Sequence, residues 1–205
     1  HQGDPLKERV EALASTMDGA LVLPCDATDD DQIAQVFQSL KDEFGDISFL
    51  VHSIAFANRE DLDGRFVDTG RDGFRIALEV SAYSLLPLVR HAAPLMTGGG
   101  SVVAMTFDAS QRVYPGYNVM GICKAALDSV VKYLAYDLGP RGVRVNALSA
   151  GPLQTISGRG AGVDAMLGLY EAMAPLGRNI THDEIGKTGA FLLSDMSDGI
   201  TGEIL

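Results

Sequence analysis

SVVAMTFDASQRVYPGYNVMGICKAALDSVVKYLAYDLGPRGVRVNALSAG, residues 101–151, sets two short apolar runs around one long helical pattern. SVVAMT (101–106) reads as a strand buried on both faces, being a nearly continuous apolar run, and GVRVNALSAG (142–151) as a further strand running into a loop. Between them a loop runs to Gly116, and a helix runs from Tyr117 to about Leu138, stopped by Gly139-Pro140. A strand, a crossover helix and a second strand is the connection that parallel neighbours require. The same alternation extends towards the N-terminus. ALVLPC (20–25) and ISFLVH (47–52) read as strands. Helices are expected over DPLKERVEALASTM, over DDDQIAQVFQSLKDEFG with Gly45 just past its end, and from Asp72 to Met96 with a bend at Pro87. Weaker helices are expected near residues 163–173 and 182–194.

This pattern is an α/β parallel sheet wrapped by helices on both sides, a doubly wound arrangement in a single domain over residues 1–205. In such sheets ligands bind beyond the carboxyl ends of the strands. Those ends are CDAT, HSIAFA, MTFD and SAGPLQT, all rich in small or polar residues.

Composition excludes several function classes. The net charge of −11 argues against nucleic acid, whose phosphates are held mainly by Lys and Arg. The apolar runs fall far short of the ~20 residues of a membrane span. Two cysteines, Cys25 and Cys123, form no disulfide framework and suit a reducing, cytoplasmic setting. The four histidines show no metal-ligand spacing, so no metal site is expected.

Tyr117 and Lys124 stand seven residues apart, almost two helical turns, on one face of the predicted helix and about 10 Å apart along its axis. The helix begins one loop after a strand end, so the pair opens onto the expected crevice. A nearby ammonium favours the ionised phenol and strengthens its hydrogen bonds to a developing anion. Read blandly, the pair is a half-buried tyrosine and a lysine snorkelling to solvent.

YNVMGICKAAL followed by GVRVNALSAGPLQT resembles the bacterial enoyl-acyl-carrier-protein reductases, the divergent branch of the short-chain dehydrogenase/reductases. In that branch tyrosine and lysine are separated by six residues rather than three. CDAT, VHSIAFA, LDGRF, LEVSAYS and FLLSDMSDGITGEI match in order, over essentially the whole chain. No tyrosine here has a lysine four residues on, and Ala104 stands where the commoner branch has its catalytic serine, which disfavours a 3-oxoacyl reductase.

The resemblance implies a Rossmann-like fold and NADH-dependent reduction of an enoyl thioester carried on acyl carrier protein. It implies a homotetramer packed through its long helices. Tyr117 would hydrogen-bond the enolate oxygen and Lys124 the nicotinamide ribose. Asp26 and the Ala27 backbone would meet the adenine, with Ile54 beside it and Ser53 and Ala55 shaping that strand end. Ala150 and Gly151 would turn the chain, Leu153 would meet the carboxamide, and Thr155 the pyrophosphate, with Ile156 and Ser157 completing the loop. Phe56, Ala57, Phe107 and Met120 would line the acyl pocket together with a substrate-binding segment over residues 156–178. Asp26 also reads as a turn cap, Thr155 as a helix cap, and the methionines as core. Two other readings stay open: a dinucleotide-binding fold without turnover, and a reductase of enones not held on a carrier.

The pattern departs from the family in two places. Phe107 stands where many members have a second tyrosine, so it is expected to pack rather than to donate a proton, and Tyr114 in the following loop reads as structural. The family's N-terminal strand, glycine-rich turn, helix and second strand have no counterpart, so the chain is expected to be a fragment lacking that βαβ portion and a C-terminal tail. Gln2 would mark the end of the missing second strand, beside the adenosine. Arg159 or Arg178 is a candidate for a local basic patch facing an acidic carrier protein.

Overall fold

The computed structural model describes residues 4–155 and 163–205. Three parallel strands form one sheet in the order β1 (Phe49–His52), β2 (Gly100–Thr106) and β3 (Val143–Ser149). Register pairs His52 with Ala104, Ala104 with Ala147, and Thr106 with Ser149, so all three carboxyl ends reach the same edge.

The period-2 geometry of β2 explains why both faces must be covered. Val102 and Ala104 point into a core shared with α2 (Asp30–Phe44), α4 (Leu85–Ala92) and α5 (Asn118–Leu138). Val103 points the other way, into a cluster with Leu148 and Leu192, the latter carried by α7 (His182–Leu193). Fully buried side chains of this kind each contribute about 1.5–3 kcal/mol. Polar bonds fix the second layer: Ser101 Oγ donates to the Leu192 carbonyl at 2.7 Å, and Arg144 donates to the Leu192 and Ser194 carbonyls. The expected doubly wound architecture is therefore present.

Helix ends follow their local chemistry. Asp29 accepts from the amides of Asp31 and Gln32 at the start of α2, and Gly45 closes it at φ +79°. Thr181 and Glu184 form a reciprocal capping box on α7. α1 (Asp4–Ala14) and α6 (Val163–Met173) occupy two further expected positions.

Three expectations are corrected. The helix predicted over 72–96 is broken into α3 (Arg71–Leu78) and α4 by a π-helical turn at Glu79–Tyr83. The interruption lies ahead of Pro87, which sits in the first turn of α4, where its missing N–H has no partner within that helix to lose. Residues 20–25 form no strand. A ladder needs partner backbone in register, and among the described residues β1 pairs with β2 alone; Cys25 and Ala27 share with Phe49, Leu50 and Ile54 the lining of a cavity of about 620 Å³. At the other edge, residues 201–205 run beside β3, with Ala147 N–H donating to the Glu203 carbonyl and Ser149 N–H to that of Leu205, both at 2.8 Å.

Candidate active site

Tyr117 is the N-cap of α5, at the end of the loop that leaves β2. Phe107, the first residue beyond β2, is buried and meets the Tyr117 ring edge-on, with centroids 5.3 Å apart. Burial, with a smaller contribution from Cys123, pushes the Tyr117 phenol up to about 12. The expected ammonium-driven lowering is thus reversed, and the phenol is a protonated hydrogen-bond donor at neutral pH.

The lysine is directed to the strand end. Lys124 is buried, and its Nζ donates to the Met105 carbonyl at 2.8 Å. Burial lowers its pKa, against raising effects from Cys123 and Asp128. Asp128 accepts from Thr106 Oγ1 at 2.6 Å, tying the helix to the last residue of β2. Lys124 therefore stands against the strand end rather than snorkelling to solvent.

Ala57, Tyr117 and the buried Met120 share one apolar cluster with Val119 and Cys123. Burial pushes the Cys123 thiol up to about 11, so it is a neutral packing group. Phe56 is held beside this cluster by Ser81, whose Oγ accepts from the Phe56 N–H at 2.9 Å and donates to its carbonyl at 3.0 Å. Ser81 lies in the π-helical turn, a feature often found at functional sites. Sequence periodicity gave no signal for it.

A sequence profile described as Enoyl-(Acyl carrier protein) reductase matches residues 1–205. The NADH enoyl-acyl-carrier-protein reductase FabI of Bacillus cereus is 48% identical over 99% of this chain and 80% of its own length. The chain belongs to the enoyl-acyl-carrier-protein reductase family. The FabI of Bacillus subtilis is likewise 48% identical, over 100% of this chain and 81% of the relative. The crystal structure of the Bacillus cereus reductase with NADP+ and an indole naphthyridinone superposes with a TM-score of 0.95 at 48% identity, covering 99% of this chain and 80% of that one. The reductase of Anaplasma phagocytophilum in complex with NAD gives 0.93 at 40% identity, covering 100% of this chain and 76% of that one.

Within this reductase fold, the other predicted positions divide into groups. Ala27 and Ile54 come together on the wall of the cavity described above. Asp26 acts as a turn cap: its Oδ1 accepts from the Thr28 amide at 2.9 Å and from the Thr28 hydroxyl at 2.8 Å. Ser53 and Ala55 are exposed just past β1. Ala150, Gly151 and Leu153 follow β3, with Thr155 N–H donating to the Leu153 carbonyl at 2.9 Å. Gln2, Ile156, Ser157 and Arg159 lie outside the described residues, as does the first part of the 156–178 segment. Arg178 is bonded at both Nη atoms to the Glu184 carboxylate, at 2.9 and 2.6 Å, so it is engaged within the chain. Among the described residues no group of His, Cys, Asp or Glu could hold a metal ion, and no helix is long and apolar enough to cross a membrane.

Proposed function

We propose that this chain reduces the C2=C3 bond of trans-2-enoyl thioesters on acyl carrier protein with NADH, in the elongation cycle of type II fatty acid synthesis. The observation that carries the chemistry is the placement at the carboxyl edge of the sheet of Tyr117, packed against Phe107 at the head of α5, and of the buried Lys124, bonded to the Met105 carbonyl. Family membership over the whole chain supplies the reaction class.

The residues present fit a nicotinamide dinucleotide. The apolar cavity faced by Ala27 and Ile54 suits an adenine ring, with Asp26, Ser53 and Ala55 next to those two residues in the sequence. Lys124 has one of its three ammonium hydrogens on Met105, and it serves the nicotinamide ribose from the same strand end. Ala150, Gly151, Leu153 and Thr155 follow the end of β3, where carboxamide and pyrophosphate contacts belong. When bound, NADH supplies the hydride for the β-carbon of the enoyl thioester.

Tyr117 then donates a hydrogen bond to the thioester oxygen as negative charge develops there. Loss of one such preorganised donor costs roughly 10²–10³ in kcat. Phe107 has no hydroxyl, so it holds the Tyr117 ring and excludes water. Phe56, Ala57 and Met120 receive the acyl chain. The cytoplasm is the site of action, consistent with two unpaired cysteines, one buried. Ile122, Tyr133 and Tyr136 form an exposed apolar stripe on one face of α5, which supports packing of copies through this helix into a homotetramer.

NADH oxidation with crotonyl-coenzyme A tests the reading. Tyr117→Phe is expected to lower kcat roughly 10²–10³-fold while NADH still binds. Lys124→Ala is expected mainly to weaken NADH binding. Wild-type protein that binds NADH but oxidises it with no enoyl thioester would exclude the reductase.

A further inference from the structure

Tyr114 lies in the loop before α5 and Tyr170 on α6, yet their hydroxyls meet at 2.6 Å. Tyr114 Oη donates its single hydrogen to Asp108 Oδ2 at 2.9 Å, so Tyr170 must be the donor to Tyr114. Asp108 is itself paired with Arg112 Nε at 3.5 Å. A directed chain therefore runs from α6 to the loop that carries the active-site aromatics. The rings follow the same route. Phe107 lies 5.0 Å from Tyr114 and 6.4 Å from Tyr170, centroid to centroid, and the two tyrosines stack at 6.2 Å. On its other side the Tyr170 ring comes within 4.0 Å of where a Cβ on Gly151 would stand. Tyr170 thus reaches from the end of β3 to the end of β2, across the crevice beside Tyr117.

We propose that Tyr114 and Tyr170 are positioning residues for the acyl chain, their hydrogen bond holding α6 across the ends of β2 and β3. This rests on the reductase reading. A wall fixed before substrate arrives spares the ordering cost that a loose helix would take from binding. On this proposal a long acyl tail reaches α6, whereas a crotonyl group ends near Tyr117 and Phe107. The pair therefore governs preference for chain length rather than the hydride step.

Tyr114→Phe and Tyr170→Phe keep both rings and remove the shared bond. In each, KM for dodecenoyl-coenzyme A is expected to rise roughly fivefold, the worth of one hydrogen bond. The crotonyl KM and both kcat values are expected to stay within about twofold, the signature of lost ground-state binding. The double variant is expected to match Tyr114→Phe, because that single change already removes the shared bond together with the bond to Asp108. Hydrogen exchange of the α6 amides is expected to quicken in both variants, with α5 unchanged. Equal KM changes for the two substrates, or unchanged α6 exchange, would overturn the proposal. If the wild type turns over neither thioester, the reductase reading fails, and the exchange measurement alone decides whether the tyrosines hold α6.

Discussion

His52 ends β1 with 1% of its surface exposed, and its Nε2 lies 2.8 Å from Ser84 Oγ. Ser84 donates its own hydrogen to the Val80 carbonyl at 2.7 Å, so the ring must carry its proton on Nε2, leaving the buried Nδ1 without a partner. Burial, aided by the Lys124 charge, pulls the imidazole down to about 4 from 6.5. A depressed folded-state pKa gives stability that is fully present above pH 6.5 and is lost as pH falls towards 4. The loss amounts to something on the order of 3 kcal/mol. Urea unfolding between pH 7 and 4.5 is expected to show this decline, flattened in His52→Gln, which keeps a donor for Ser84 and cannot titrate. Parallel profiles for the two proteins would remove His52 as the cause. The sequence placed His52 on a strand and gave no sign of this chemistry. Its partner comes from a helix 32 residues away. The Tyr117–Lys124 spacing was legible, but the direction of Lys124 towards Met105 and the burial that raises the phenol pKa are both set by tertiary packing.

At the level of elements, β2, β3 and the helix between them were legible because each signal was local: apolar runs, a long helical period and the Gly139-Pro140 stop. The segment 20–25 has the composition of a strand, but composition does not supply a neighbouring edge. The π-helical turn was hidden because Glu79–Tyr83 reads as ordinary helix, and its packing is set by Ser81 and Ser84 bonds to distant backbone and to His52. The turn before β2 shows the converse, a local signal with a long-range cause. Gly99 adopts φ +87°, and a Cβ there would stand 2.7 Å from the Gly142 carbonyl oxygen. That oxygen already accepts from the Gly100 N–H at 3.1 Å, so the turns that start β2 and β3 abut through backbone alone. Gly99→Ala is expected to destabilise the fold by about 2–3 kcal/mol, combining left-handed strain with displacement of β3. Gly98→Ala has open space at its Cβ and should stay within about 0.5 kcal/mol. Denaturant midpoints for the two variants check the contrast.

For the whole molecule the decisive feature is what α5 does with its two faces. One face carries Val119, Cys123, Leu127 and Val131 into the core, which fixes the helix rotation. Ile122, Tyr133 and Tyr136 then necessarily fall on the outer side, separated by 11 and 3 residues along one stripe, with Tyr133 76% and Tyr136 83% exposed. Two large aromatics on a helix otherwise so well buried are out of keeping with a free surface and suit a second copy of the chain. A net charge of −11 makes copies repel at long range, so the proposed association would rest on apolar contact and is expected to persist or tighten as salt screens the charge. Sedimentation of the wild type at micromolar concentration is expected to give the mass of a multiple of the chain, unchanged in high salt. Tyr133→Asp with Tyr136→Asp would bury two carboxylates without partners and is expected to shift the mass towards the single chain. Its thermal unfolding should remain cooperative, because neither side chain belongs to the core. A wild type sedimenting as a single chain, or a double variant that keeps the full assembly, would show that this face of α5 is not where copies meet.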